Sequence, residues 1–132
     1  MNPPKNFAHP DHTHSAEKLR VDLIDFAEDG VLARFTYEPG FHYAEHVTPH
    51  KGAAYEDVPP HITMCLSGRL RSILPDGTEQ EMGPDDTQLV PPWHGAPRDA
   101  WVVGDEPFVA ISFLPRTHAA SPRAVSPDPD VA

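Results

Sequence analysis

Apolar and polar residues alternate along most of the chain in short runs, the period-two signature of half-buried β-strands. The runs are LRVDLIDF (19–26), VLARFTY (31–37), FHYAEHV (41–47), HITMCL (61–66), RLRSIL (69–74), TEQEM (78–82), TQLVPP (87–92), AWVV (100–103) and FVAISFL (108–114). Turn-forming clusters separate them: EDG, EPG, SG, PDG, GPDD and GDEP. No segment sustains a helical period. Closely spaced strands with Gly, Asp and Pro between them predict an all-β domain, an antiparallel sandwich or barrel. The PDG at 75–77 marks a hairpin, because glycine accepts the positive φ of a tight turn.

Two irregular segments, 48–60 and 92–99, break the rhythm, and loops of that length in a small β-domain are often functional. Each adjoins a histidine of interest. On alternation, His42, Ala44, His46, Thr48 and His50 share one strand face, and Phe41, Tyr43, Glu45 and Val47 share the other. In the next strand His61, Thr63 and Cys65 face away from Ile62, Met64 and Leu66. With both histidine faces turned inward, His46 and His61 converge, and His94 in VPPWHG joins them from a third strand end. Neutral imidazole binds zinc, iron, nickel and copper, and three such ligands leave positions open for water or substrate.

The expected site is thus one divalent transition metal, Fe(II), Zn, Mn, Ni or Cu, on His46, His61 and His94. A plainer reading stands beside it, since a lone strand histidine is usually a hydrogen-bonded core or surface group. His42, Thr48, His50, Thr63, Cys65 and Trp93 are expected to line the pocket or support the ligands. His50 follows Pro49 in a loop. Cys65, with no basic cluster near it in sequence, reads as an inert buried thiol. Glu45 and Glu56 are the nearby carboxylates, and alternation turns Glu45 outward. The tail histidines His9, His12 and His14 read as solvated.

At 132 residues and 39% hydrophobic, the chain has enough for one core. Prolines gather near both ends, so residues 1–16 and 116–132 are expected to be flexible arms around a domain of 17–115. A net charge of −10 disfavours nucleic acid and anionic membrane surfaces. The lone cysteine forms no internal disulfide, and the N-terminus has neither the basic nor the apolar region of a secretory leader. A cytoplasmic location is the expectation. No apolar run reaches the ~20 residues that span a bilayer.

From residue 38 to 114 the chain resembles the cupin superfamily, in particular its short single-domain members. The residues that carry the likeness are Glu45-His46-Val47, Leu66-Ser67-Gly68-Arg69-Leu70, Asp76-Gly77-Thr78-Glu79, Met82-Gly83-Pro84-Asp85-Asp86, Val90-Pro91-Pro92-Trp93-His94 and the run WVVGDEP from Trp101 to Pro107. The resemblance implies a double-stranded β-helix, a jelly-roll-like barrel, often dimeric and with a metal centre inside. In the usual first motif His46 fits the first histidine, Thr48 stands at the second, and His61 occupies the glutamate position ahead of Gly68. In the second motif Trp93 replaces a glycine, Ala96 stands at the usual histidine position, and His94 comes two residues early. Imidazoles without a carboxylate would favour anionic or chelating ligands.

Two functions follow as expectations. One is a metal-dependent enzyme acting on a small organic molecule, by oxygenation, isomerisation, cyclisation or lyase chemistry. The alternative is a non-catalytic cupin that binds or senses a small molecule. A homodimer is also expected, because the stripe Ile62, Met64 and Leu66 needs cover that no helix supplies.

Overall fold

The computed structural model describes residues 3–48, 57–58, 60–90, 93–94 and 97–115, with backbone alone at Asp57, Val58, Trp93 and His94. The alternating runs become strands: β1 (His12–Ala16), β2 (Leu19–Asp25), β3 (Val31–Tyr37), β4 (Asp57–Val58), β5 (His61–Ser67), β6 (Leu70–Ile73), β7 (Glu79–Met82), β8 (Thr87–Val90), β9 (Trp93–His94), β10 (Asp99–Val102) and β11 (Phe108–Leu114). A six-stranded sheet runs β1-β2-β3-β11-β5-β8, a three-stranded one β10-β6-β7, and β4 pairs with β9. Every pairing is antiparallel. The β4–β9 pair ties the two irregular segments to each other, with Asp57 opposite His94 and Val58 opposite Trp93.

Turn chemistry sets the hairpins. Between β6 and β7, Gly77 takes φ +90° and the Leu74 N–H donates to the Thr78 carbonyl at 2.8 Å. At the β5–β6 turn Gly68 has φ +77°, and a Cβ there would stand 2.7 Å from the Phe108 Cα. The turn therefore nests against the start of β11 only because it is glycine. The core beside it holds Phe41, Cys65, Val102, Phe108 and Ala110.

Two expectations change. The run FHYAEHV is not a strand: its centre is a short helix, α1 (Tyr43–His46). The expected loose arm 1–16 is docked in part, since β1 pairs along β2 and the segment before it crosses the outer face of β2 and β3. There the Arg34 guanidinium lies 4.9 Å over the Phe7 ring, Lys5 donates to the Asp25 carbonyl at 2.9 Å, and Asp11 accepts the Asp25 N–H at 2.8 Å. Beneath this cover Asp22 is fully buried, accepting from Thr13, Arg20 and Arg34, each at 2.9 Å. Burial pushes the Asp22 carboxyl up, but the Arg20, Arg34 and Thr13 hydrogen bonds outweigh it and hold it below the usual carboxylate range. Residues 116–132 lie outside the described residues. Among those described, no helix is long and apolar enough to cross a membrane.

Candidate functional site

Alternation does what the sequence promised in β5. Ile62, Met64 and Leu66 are exposed, while His61 and Thr63 turn to the inside and Cys65 is fully buried. Between the six- and three-stranded sheets lies a cavity of about 190 Å³. The larger sheet contributes Phe35, Tyr37, His61, Thr63, Gln88, Phe108, Ala110 and Ser112 to its wall; the smaller sheet contributes Leu70, Ser72, Gln80 and Met82.

The wall divides by chemistry. One part is aromatic and aliphatic, with Tyr37 stacked on Phe41 at 4.1 Å between ring centres and on Phe108 at 5.8 Å. Burial pushes the Tyr37 phenol well above its ordinary pKa, so its hydroxyl stays protonated and can donate. The other part is polar and uncharged. Thr63 and Ser112 share a hydroxyl hydrogen bond of 2.7 Å, and the Gln88 amide donates to Gln80 at 3.4 Å. Each of these groups has further donors or acceptors to offer a ligand. No Asp, Glu, Lys or Arg is among the described lining residues, and His61 is the one imidazole.

His46 does not line this cavity. It is buried at the end of α1, where its ring stacks on Phe41 at 5.7 Å between centres. Its Nδ1 meets the His42 backbone, 3.0 Å from the amide nitrogen and 3.1 Å from the carbonyl oxygen, and its Nε2 faces Glu45 at 3.5 Å and Glu17 at 3.9 Å. The cause is the helix, which replaces the expected strand and carries His46 off the strand's alternating face. Asp99 holds that helix from β10: one carboxylate oxygen accepts the Ala44 N–H at 3.0 Å and the Ala100 N–H at 2.8 Å, the other meets His42 Nδ1 at 2.9 Å. Because the carboxylate only accepts, His42 Nδ1 is the donor. Burial pushes Asp99 up, but the Ala44, His42 and Ala100 hydrogen bonds overcome it and lower its pKa. His42, half-exposed, also stacks on Trp101 at 5.9 Å.

The remaining expected residues fall in different places. Thr63 lines the cavity; Thr48 is exposed at the surface. Cys65 lies in the core beside Phe41, its thiol donating to the Ser67 and Gly68 carbonyls, with burial pushing its pKa up. That fits the inert thiol read from sequence. Glu45 is exposed, but on helix α1 and not on the outward strand face that alternation predicted. The backbone of His94 and Trp93 lies in β9 against β4, while their side chains, like His50 and Glu56, lie outside the described residues. Among the described residues no three His, Cys, Asp or Glu side chains come together in a way that could hold a metal ion. Taken by themselves, those side chains do not fit a divalent ion. Sequence reasoning missed Tyr37, Ser72, Gln80, Gln88 and Ser112; a signal was present in polar residues at inward positions of otherwise apolar strands.

No protein-family model matches the chain, and no curated protein sequence does. Solved structures do. A Klebsiella pneumoniae protein described as having a double-stranded β-helix domain matches with a TM-score of 0.54 at 20% identity, over 77% of this chain and 80% of that one. A cupin domain from Bordetella pertussis matches with a TM-score of 0.54 at 13% identity, over 79% of this chain and 99% of that one. The polyketide cyclase RemF of Streptomyces resistomycificus matches with a TM-score of 0.53 at 19% identity, over 86% of this chain and 78% of that one. The two antiparallel sheets with a cavity between them are thus the double-stranded β-helix of the cupins, the all-β class the alternation pointed to.

Proposed function

We propose that the protein binds one small, uncharged organic molecule with a planar ring in the cavity between its sheets. The observation that carries this is the composition of the wall: aromatic rings on one part, neutral hydroxyls and amides on the other, and no charged side chain among the described residues. A carboxylate or phosphate entering such a site would lose its hydration with no lysine or arginine among the described lining residues to pair it, a cost of several kcal/mol. This replaces the expectation of an anionic ligand, which rested on three imidazoles at one site. The cavity is smaller than the roughly 300–1,000 Å³ that takes drug-sized ligands, so it suits a single-ring compound. Calorimetric titration with 4-hydroxyacetophenone and with 4-hydroxybenzoate tests the reading. The ketone is expected to bind at least ~10-fold more tightly; a preference for the carboxylate would contradict it.

A catalytic reading goes one step further, and the placement of His61 and Tyr37 on one cavity wall favours it. An imidazole can take a proton from the carbon next to a carbonyl while a protonated phenol hydrogen-bonds the carbonyl oxygen, the acid–base pair of enolisation. Enolisation belongs to isomerisation and cyclisation chemistry, and a polyketide cyclase is among the structures of this fold. Exchange of the methyl hydrogens of 4-hydroxyacetophenone in deuterated water, followed by NMR, separates the readings. Under the catalytic reading the native protein accelerates exchange and His61→Gln abolishes the acceleration while still binding the ketone. Equal exchange with and without native protein would leave a binding protein. A resident metal, as cupin resemblance implies, would add a Lewis acid that polarises a substrate oxygen.

A further inference from the structure

β7 and β8 are edge strands of the two sheets. Along β7, Gln80 and Met82 turn into the cavity while Glu79 and Glu81 turn out to ion pairs with Arg71 and Arg69; along β8, Gln88 turns in and Leu89 out. The Gln88 amide reaches across from one sheet to the other and donates to the Gln80 oxygen at 3.4 Å. Neither side chain makes another hydrogen bond among the described residues. A side-chain amide has one oxygen acceptor and two N–H donors, and this contact uses an N–H of one amide and the oxygen of the other. Gln88 Oε1 and Gln80 Nε2 are left as one acceptor and one donor on neighbouring side chains of the same wall. Exchanging oxygen and nitrogen in both amides reverses the contact and leaves one of each all the same. Exchanging them in one alone would set oxygen against oxygen or nitrogen against nitrogen. Amides half-paired at half-buried positions of a cavity call for an occupant that completes them.

We infer that the Gln80–Gln88 pair reads a cyclic secondary amide, a lactam, as the polar edge of the ring that the cavity takes. This rests on the neutral single-ring reading of the same site and adds to it the chemical class of the ligand. A lactam carries its N–H and C=O side by side on one edge, so its N–H can donate to Gln88 Oε1 while its carbonyl accepts from Gln80 Nε2. The three amides then form a head-to-tail ring of hydrogen bonds, each donating to the next, and both glutamines are completed. A plain ketone or ester offers acceptors alone and leaves the Gln88 oxygen facing another oxygen. The hydroxyls of the wall do not discriminate in this way: Thr63 and Ser112, bonded at 2.7 Å with either as donor, rotate to suit a donor or an acceptor. Direction along the polar wall therefore resides in the glutamines. A conjugated lactam is also planar, which suits the aromatic part of the wall, where Phe35, Tyr37 and Phe108 present their rings.

Calorimetric titration of the full chain with 2-pyridone and with 2-pyranone tests the inference. Both are planar, uncharged and nearly the same size, and they differ in the ring N–H that the pyranone replaces with oxygen. 2-Pyridone is expected to bind at least ~30-fold more tightly, because the pyranone loses one hydrogen bond and sets its ring oxygen against Gln88 Oε1. Gln88→Met, matched in length, is expected to cut that preference below ~3-fold, chiefly by weakening 2-pyridone. Gln80→Met is expected to weaken both probes about 5–10-fold and keep the preference, since both carbonyls accept from Gln80. Far-UV circular dichroism checks that each variant is folded. Equal binding of the two probes by the native chain overturns the inference and leaves the neutral single-ring reading standing, as does binding of 4-hydroxyacetophenone with neither probe bound. Failure of all three compounds to bind removes both readings. Folded variants that both keep the full preference at native affinity overturn the assignment to this pair.

Discussion

His61 and His46 are fifteen positions apart in sequence and belong to opposite kinds of environment. His61 stands on a strand whose alternation is enforced by ladders on both sides, and it faces a cavity of neutral groups. His46 stands on a four-residue helix held in place by Asp99, with the His42 backbone at one ring nitrogen and two glutamates near the other. The first region sets neutral hydroxyls and amides around a cavity; the second spends its hydrogen bonds on holding a helix in place. Histidine as a residue type therefore says little until its backbone setting is known.

Removing the architecture of the helical corner should have the largest effect. Asp99→Ala takes away the acceptor for the Ala44 and Ala100 N–H groups and for His42, and a partly exposed charged acceptor of this kind contributes about 2–3 kcal/mol. Urea denaturation should show that loss, while the affinity for 4-hydroxyacetophenone stays within about two-fold of native, since Asp99 does not line the cavity. A comparable loss of binding would mean the two regions are coupled. Next in size is the converse change: Gln80→Leu and Gln88→Leu should each weaken the ketone about 5–10-fold, for one lost hydrogen bond, and leave urea stability within ~1 kcal/mol. Binding unchanged in both would remove the polar wall from the account.

The pH dependence sharpens the same contrast. The folded-state pKa of Asp99 lies below its ordinary value of 3.8, so its contribution to stability is fully present above that value and is lost as pH falls through the depressed folded pKa. Asp22, also lowered, adds to the same acid limb. Asp99→Asn is therefore expected to flatten the loss of stability below about pH 4, by denaturation series at several pH values. An unchanged acid limb would remove Asp99 from it. The smallest effect concerns metal. Because His46 has both ring nitrogens turned to protein groups, His46→Gln is expected to leave metal content unchanged by elemental analysis, whatever the content is. A fall in bound metal would place His46 back in a ligand set.

Strand order was legible where structure is local. The runs 31–37, 61–66 and 108–114 coincide with β3, β5 and β11 to within a residue, because alternation is a property each segment carries by itself. The helix α1 was not legible, since its stabilising carboxylate, Asp99, lies 55 residues from Ala44. Alternating residues 41–47 suit a strand until that distant cap wins. The N-terminal segment misled for the same reason: Lys5, Phe7 and Asp11 find Phe26, Arg34 and Asp25 only after the sheet has formed. In the candidate site, His61 and Thr63 followed from the period of one strand. Gln80 and Gln88 required knowing that β7 and β8, neighbours in sequence, belong to different sheets that face one cavity.

The most direct measurement is a site-resolved titration of the backbone amides by ¹H–¹⁵N NMR with 4-hydroxyacetophenone as probe. The cavity account predicts saturable shifts at Thr63, Ser72, Gln80, Gln88 and Ser112, with Tyr43–His46 unmoved. Shifts concentrated at Tyr43–His46 and Asp99, with the cavity amides still, would contradict it and move the ligand site to the helical corner.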